Sequence, residues 1–273
     1  MKNILKKIEL KHQELLYLQS QFSKELEDNL YQWFRIALTY TSNAIEGNTL
    51  TSIETAEIIE KDITVNGKSL TEHLESINHA EAIDFTKKLV SIKRIKDIEN
   101  SDILAVHKCI LQKINNEYAG RFRDVPVRIL GSMIPTPNYL KIPKLMDDLI
   151  YWLHNSTDST IKIAADIHLK LAYIHPFIDG NGRMARLLMN LILLQDHYPL
   201  VFIKIEDRLK YIKAIQKALD FITHNFTAEE FILSSHNFEI KEFQDYYTII
   251  FESIEYSLDE YIKTAQEAGL KVN

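Results

Sequence analysis

Apolar residues recur at intervals of three and four along almost the whole chain, and that spacing admits little besides α-helix. Leu15, Leu18, Phe22, Leu26, Leu30 and Trp33 draw one such stripe near the N-terminus. The spacing predicts one long amphipathic helix packed on a core. The heptad is not sustained, so a coiled-coil arm is not expected. Seven glycines and six prolines in 273 residues leave few breaks. TSIE, Thr51 to Glu54, has capping-box spacing and opens a helix towards Ile63. Asn66–Gly67 marks a turn, Thr71 caps a run towards Ile92, and Ser101 caps DILAVHKCILQKI. Further helical runs are KLMDDLIYWLH, IKIAADIHLKLAYI, RLKYIKAIQKALDFI and DYYTIIFESIEYSLDEYI. One stretch departs from the pattern. VPVRILGSMIPTPNYL, residues 125–140, combines β-branched residues, a Gly-Ser centre and three prolines, and reads as a short hairpin or extended flap. With no repeat, linker or low-complexity tract, the expectation is a single all-α domain whose first hundred residues fold against the rest.

Composition removes several function classes. Apolar residues make up 46% of the chain, enough for a real core. A formal net charge of −6 and a pI near 5.9 argue against a surface built for nucleic acid. Residues 232–273 are rich in Glu and Tyr rather than basic, so they do not read as a DNA-binding appendage. The single cysteine, Cys109, excludes an internal disulfide; beside Ile110 and Leu111 it reads as a buried, inert thiol in a reducing compartment. No apolar run reaches the roughly 18 residues of a membrane span. MKNILKKIELKHQELL alternates charged with apolar residues, unlike a signal-peptide core. The expectation is a soluble, cytoplasmic protein with no membrane or nucleic-acid partner.

The chemistry concentrates in HPFIDGNGR, residues 175–183, with a second arginine at Arg186. The buried run Ile161 to Ile174 must stop before Pro176, because the residue before proline disfavours helical geometry. His175 is that residue and sits at a helix end. A second helix is expected after Gly182, with Met184, Leu187, Leu188, Leu191 and Leu194 as its buried stripe. DGNG is then a helix-to-helix turn that presents backbone N–H groups at a helix N-terminus, where anions bind and glycine permits close approach. Arg183 and Arg186 lie one turn apart and add phosphate donors. Asp179 offers an oxygen ligand suited to Mg²⁺. His175, with an ordinary pKa near 6.5, can take a proton from a hydroxyl. Base, metal ligand, anion nest and two arginines together describe phosphoryl or nucleotidyl transfer. A plain turn needs none of that combination.

HPFIDGNGRMAR resembles the Fic-domain signature at every position, and the likeness extends through LKLAYI and RLLMNLILLQ over about residues 101–231. Upstream, SNAIEGN, Ser42 to Asn48, resembles the inhibitory-helix motif found N-terminal to the core in one Fic class. The resemblance implies an all-α Fic-type helical bundle with a β-hairpin flap. It implies an N-terminal helical region over 1–100, with an inhibitory helix at about 36–47, a core over 101–231 and a packed C-terminal extension over 232–273. It implies Mg²⁺-dependent transfer of AMP from ATP to a Ser, Thr or Tyr hydroxyl of an unidentified target protein. His175 is then the base, and Asp179 holds Mg²⁺ on the α- and β-phosphates. The amides around Gly180, Asn181 and Gly182 face the α-phosphate, Arg183 grips the β- and Arg186 the γ-phosphate, with Met184 and Ala185 in the same nucleotide-binding stretch. The 125–140 segment matches the family's flap, whose tip Leu130, Gly131, Ser132 and Met133 lies by the nucleotide. Tyr211 keeps the family's pocket tyrosine. Met133, Ile212 and Leu219 stand where relatives carry His, Tyr and Asn, so the likeness does not extend to the base and ribose pocket. Glu46, one turn beyond Ser42, is expected to pair with Arg186 and inhibit; in relatives the same glutamate also serves in removing AMP. Self-modification and a homodimer are further implications. Two other readings remain open at this point: another Fic-type transfer, of UMP, phosphate or phosphocholine, or an inactive nucleotide-binding regulator.

Overall fold

The computed structural model describes residues 1–129, 134–235 and 240–270. The N-terminal stripe is carried by two helices rather than one: α1 spans Lys2–Gln19 and α2 spans Lys24–Glu46. The break has a local cause. Ser23 is the N-cap of α2, and its hydroxyl accepts the Leu26 N–H at 3.2 Å. The turn rotates the stripe, so Leu15 and Leu18 stay buried while Trp33 is left 47% exposed. Gly47, with φ 109°, closes α2 as a left-handed C-cap. The expected Thr51/Glu54 capping box opens α3, Ser52–Lys61. Helix α4, Leu70–Ile92, is capped by Ser69 with Glu72, not by Thr71; Ser69 holds the box spacing and Thr71 falls inside the first turn. Helix α5, Asn100–Leu111, starts before Ser101, because the Asp102 carboxylate accepts the Glu99 N–H at 2.8 Å.

Helices α6 (Ile142–Asn155), α7 (Thr160–Ile174), α8 (Asn181–Gln195), α9 (Arg208–Asn225), α10 (Ala228–Leu233) and α11 (Lys241–Glu267) complete the all-α fold. Helices α7 and α8 are apolar on nearly every face, and such helices belong at the centre. They pack on each other more extensively than any other pair. Helices α2, α4 and α5 cover α8, while α6, α10 and α11 cover α7. Helix α1 lies along α11, joined by Lys11 to Glu255 and Asp259. Helix α8 starts at Asn181, earlier than expected, so Asn181 and Gly182 form its first turn. Leu194, placed in its buried stripe, is only partly covered.

The segment after α5 contains no strand among the described residues. An isolated antiparallel bridge joins Arg128 to Pro135, and the Thr136 hydroxyl donates to the Val127 carbonyl at 2.9 Å. The expected tip residues Leu130, Gly131, Ser132 and Met133 lie outside the described residues. Cys109 is half-buried, and burial pushes its thiol pKa up. No helix among the described residues is long and apolar enough to cross a membrane.

Candidate active site

Pro176 ends α7, and His175 takes a left-handed conformation with φ 49° and ψ 58° while its N–H still reaches the Leu171 carbonyl at 2.9 Å. A left-handed histidine is uncommon and costs energy, so its surroundings must hold it. The loop then folds on itself. The Asn181 side chain accepts the Phe177 N–H and donates to the Phe177 carbonyl, both at 2.9 Å. That double contact engages its amide group within the loop. Asp179 Oδ1 accepts the Gly180 N–H at 2.6 Å. The first-turn amides of Asn181 and Gly182 have no carbonyl one turn back to bond.

Two residues without a sequence signal brace this loop. His107 on α5 stacks on Phe177 with ring centres 3.6 Å apart. The Gly120 N–H donates to its Nδ1 at 3.1 Å, so Nε2 carries the proton and donates to the Asp179 carbonyl at 3.0 Å. Burial depresses the His107 pKa to about 4, and the ring stays neutral. Arg123 is the second. Its guanidinium donates to the His175 carbonyl at 2.8 Å, to Val125 at 3.1 Å and to Pro137 at 2.7 Å.

The His175 ring is half-buried at the mouth of a cavity of about 240 Å³. Burial lowers its pKa to about 4, opposed by a hydrogen bond to the Ala172 carbonyl and reinforced by the Arg123 charge; Glu46 and Asp179 oppose it further. At neutral pH it is an unprotonated base. Glu46, Asn181, Gly182, Ala185, Arg186 and Tyr211 line the same cavity. Ile129, Ile212, Ile215 and Leu219 give it an apolar wall, while Gln216 and Arg208 are polar. Arg183 and Asp179 lie outside it, and Met184 faces the core.

Both arginines meet carboxylates. Arg186 is buried; Nη2 donates to Glu46 Oε1 at 2.6 Å, and Nε and Nη2 reach the Ser42 hydroxyl and carbonyl at 2.9 Å. Burial opposes its charge, and Glu46 and Tyr211 together more than offset that, so its pKa is raised. A Cβ at Gly182 would overlap Glu46 Oε1, so this glycine is what lets the carboxylate lie against the helix start. Arg183 pairs with Glu75 of α4 at 3.1 Å and with Asp179 at 3.4 Å. Arg186 Nη1 also reaches the Tyr211 hydroxyl at 3.5 Å. Tyr211 and Tyr246 flank His168, each at 2.8 Å, and Tyr246 donates onward to the Ala165 carbonyl at 2.7 Å. Among the described residues no three His, Cys, Asp or Glu side chains are grouped to hold a metal ion.

Residues 97–193 match the Fic/DOC family. The chain is 39% identical over 182 residues to the protein adenylyltransferase Fic of Nematostella vectensis, covering 66% of this chain and 42% of that protein. It is 38% identical over 184 residues to the protein adenylyltransferase Fic of Drosophila melanogaster, covering 66% and 36%. The chain thus spans less than half the length of these relatives. Among solved structures, a Fic domain-containing signalling protein from Bacteroides thetaiotaomicron shares the fold, with a TM-score of 0.83 at 23% identity over 98% of this chain and all of that one. A fragment of Fic-1 from C. elegans matches with a TM-score of 0.78 at 25% identity over 98% and 74%.

Proposed function

From the match of residues 97–193 to the Fic/DOC family, we propose that this protein transfers AMP from ATP to a Ser, Thr or Tyr hydroxyl of a target protein. One observation carries the reading: a neutral imidazole, His175, opens onto the same cavity as a helix N-terminus and the buried guanidinium of Arg186. A base thereby meets a hydroxyl at one end while anion donors hold a triphosphate at the other. The hydroxyl oxygen attacks the α-phosphorus and loses its proton to His175. The bond from the α-phosphorus to the bridging oxygen of pyrophosphate breaks, and pyrophosphate leaves. The Asn181 and Gly182 amides stabilise charge on the α-phosphate as it develops.

Asp179 is a single carboxylate, 59% exposed beside the loop. One hard oxygen ligand completed by nucleotide phosphates and water suits Mg²⁺, which would neutralise charge on the α- and β-phosphates. The 125–140 segment would present a backbone edge to the target as a flap. Ile212, Ile215 and Leu219 would receive the base by apolar contact.

Glu46 makes the resting protein inhibited in this reading. Its carboxylate lies over Gly182 and engages Arg186, so negative charge already stands where the γ-phosphate must come. A cavity of about 240 Å³ is also below the roughly 300 Å³ at which small-molecule pockets begin, as expected with Glu46 inside. Incubation of the Glu46→Gly protein with ATP labelled at the α-phosphate tests the reading. Label should enter protein, and its absence would refute the transferase.

A further inference from the structure

The Arg123 guanidinium is an unusual thing to bury. It is 2% exposed, and among the described residues no carboxylate pairs with it. A buried charge solvated only by carbonyl dipoles is costly. Its partners are therefore informative: the carbonyls of His175, Val125 and Pro137. The backbone N–H of Arg123 adds a bond to the Pro176 carbonyl at 2.8 Å. One residue thus bonds two successive carbonyls of the catalytic loop and both feet of the segment that bridges Arg128 to Pro135.

We infer that Arg123 is a positioning residue that holds His175 in its left-handed conformation and ties that conformation to the seating of Val125 and Pro137. The inference rests on the adenylyl-transfer reading above. Guanidinium geometry is what the role needs. Three donors diverge in one plane towards three carbonyls, and a lysine ammonium of similar charge cannot reach all three in that arrangement. Releasing the His175 carbonyl lets the residue relax from φ 49°, and the imidazole leaves its line to the hydroxyl. The phosphate donors lie on α8 and its first turn, whereas the Arg123 hydrogen bonds go to the His175, Pro176, Val125 and Pro137 carbonyls, so nucleotide binding should survive.

The test uses the Glu46→Gly protein as parent, with single-turnover self-modification at saturating labelled ATP and ATP binding by calorimetry. Arg123→Lys and Arg123→Gln should each lower the transfer rate by about 10- to 100-fold, the scale of an ångström-size misplacement of a reacting group. ATP affinity should stay within about twofold of the parent, since no phosphate donor is touched. In a His175→Ala background the same substitutions should cost nothing further, because Arg123 acts through that ring. Parental rates in Arg123→Lys, or an additive loss with His175→Ala, would overturn the positioning role. So would unfolding or loss of ATP binding in both variants, which would make Arg123 a purely structural residue. A parent that transfers nothing refutes the transfer reading itself and the positioning role with it.

Discussion

Glu46→Gly is the perturbation with the most informative sign, because most substitutions at a functional site lower activity and this one should raise it. Arg186 donates to Glu46 Oε1 at 2.6 Å, and on the proposed reading ATP would have to displace that contact before its γ-phosphate is gripped. A hydrogen bond to a charged group contributes about 1.5–3 kcal/mol net, or roughly 10- to 150-fold in an equilibrium. Glu46 is 39% exposed, so solvent screening puts the expectation at the lower end, about tenfold. Self-modification with labelled ATP at subsaturating concentration should therefore rise by about that factor. Glu46→Gln keeps a neutral hydrogen bond and should fall between Glu46→Gly and wild type. Glu46→Gly combined with Arg186→Ala should fall back, because the grip is gone with the inhibitor. Equal rates in wild type and Glu46→Gly would refute the autoinhibitory pairing while leaving the transferase reading to stand or fall on the parent's activity.

Three further outcomes are expected. In the Glu46→Gly protein, His175→Ala should cost about 10²- to 10⁴-fold in transfer rate, typical of a general base, with ATP affinity nearly unchanged by calorimetry. Asp179→Ala should lose Mg²⁺-dependent transfer, and full activity of that variant in EDTA would exclude the metal role. Burial depresses His107 and His175 to about 4 and His168 to about 3, so between those values and 6.5 the unfolded chain binds more protons than the folded one. Their stabilising contribution is complete above about pH 6.5 and is lost as the pH falls towards 4. The urea midpoint should drop as the pH falls below 6.5, and His107→Leu should make that drop shallower.

What could be read from the sequence follows contiguity. His175, Asp179, Gly182, Arg183 and Arg186 fall within a dozen residues, so their shared chemistry is visible before folding. Glu46 was reachable because SNAIEGN is itself a short local pattern. His107 was not: it acts on Asp179 and Gly120, 72 and 13 positions away, and nothing in AVHKC distinguishes it from an ordinary helical histidine. The same holds for Glu75, Arg123, His168 and Tyr246, whose partners are set by packing between helices. Helix type was readable from periodicity, but the α1–α2 break was not. The apolar phase runs on through Phe22, and only the Ser23 cap stops it. At Ser69 and Thr71 two capping residues compete, and only Ser69 has a glutamate three positions on.

The pairing of α1 with α11 has a consequence for synthesis. Ile8, Leu15 and Leu18 are fully covered in the finished fold, and Lys11 meets Glu255 and Asp259, partners 244 and 248 residues downstream. At roughly 5–20 residues per second, a nascent chain carries that apolar stripe unpartnered for roughly 12–50 s after it is made. During that interval α1 is a sticky surface on a ribosome-bound chain, and contacts so distant in sequence slow folding further. This protein should therefore depend on holding chaperones more than its helical content suggests, and its yield should fall most steeply when the last helix is delayed by slow codons.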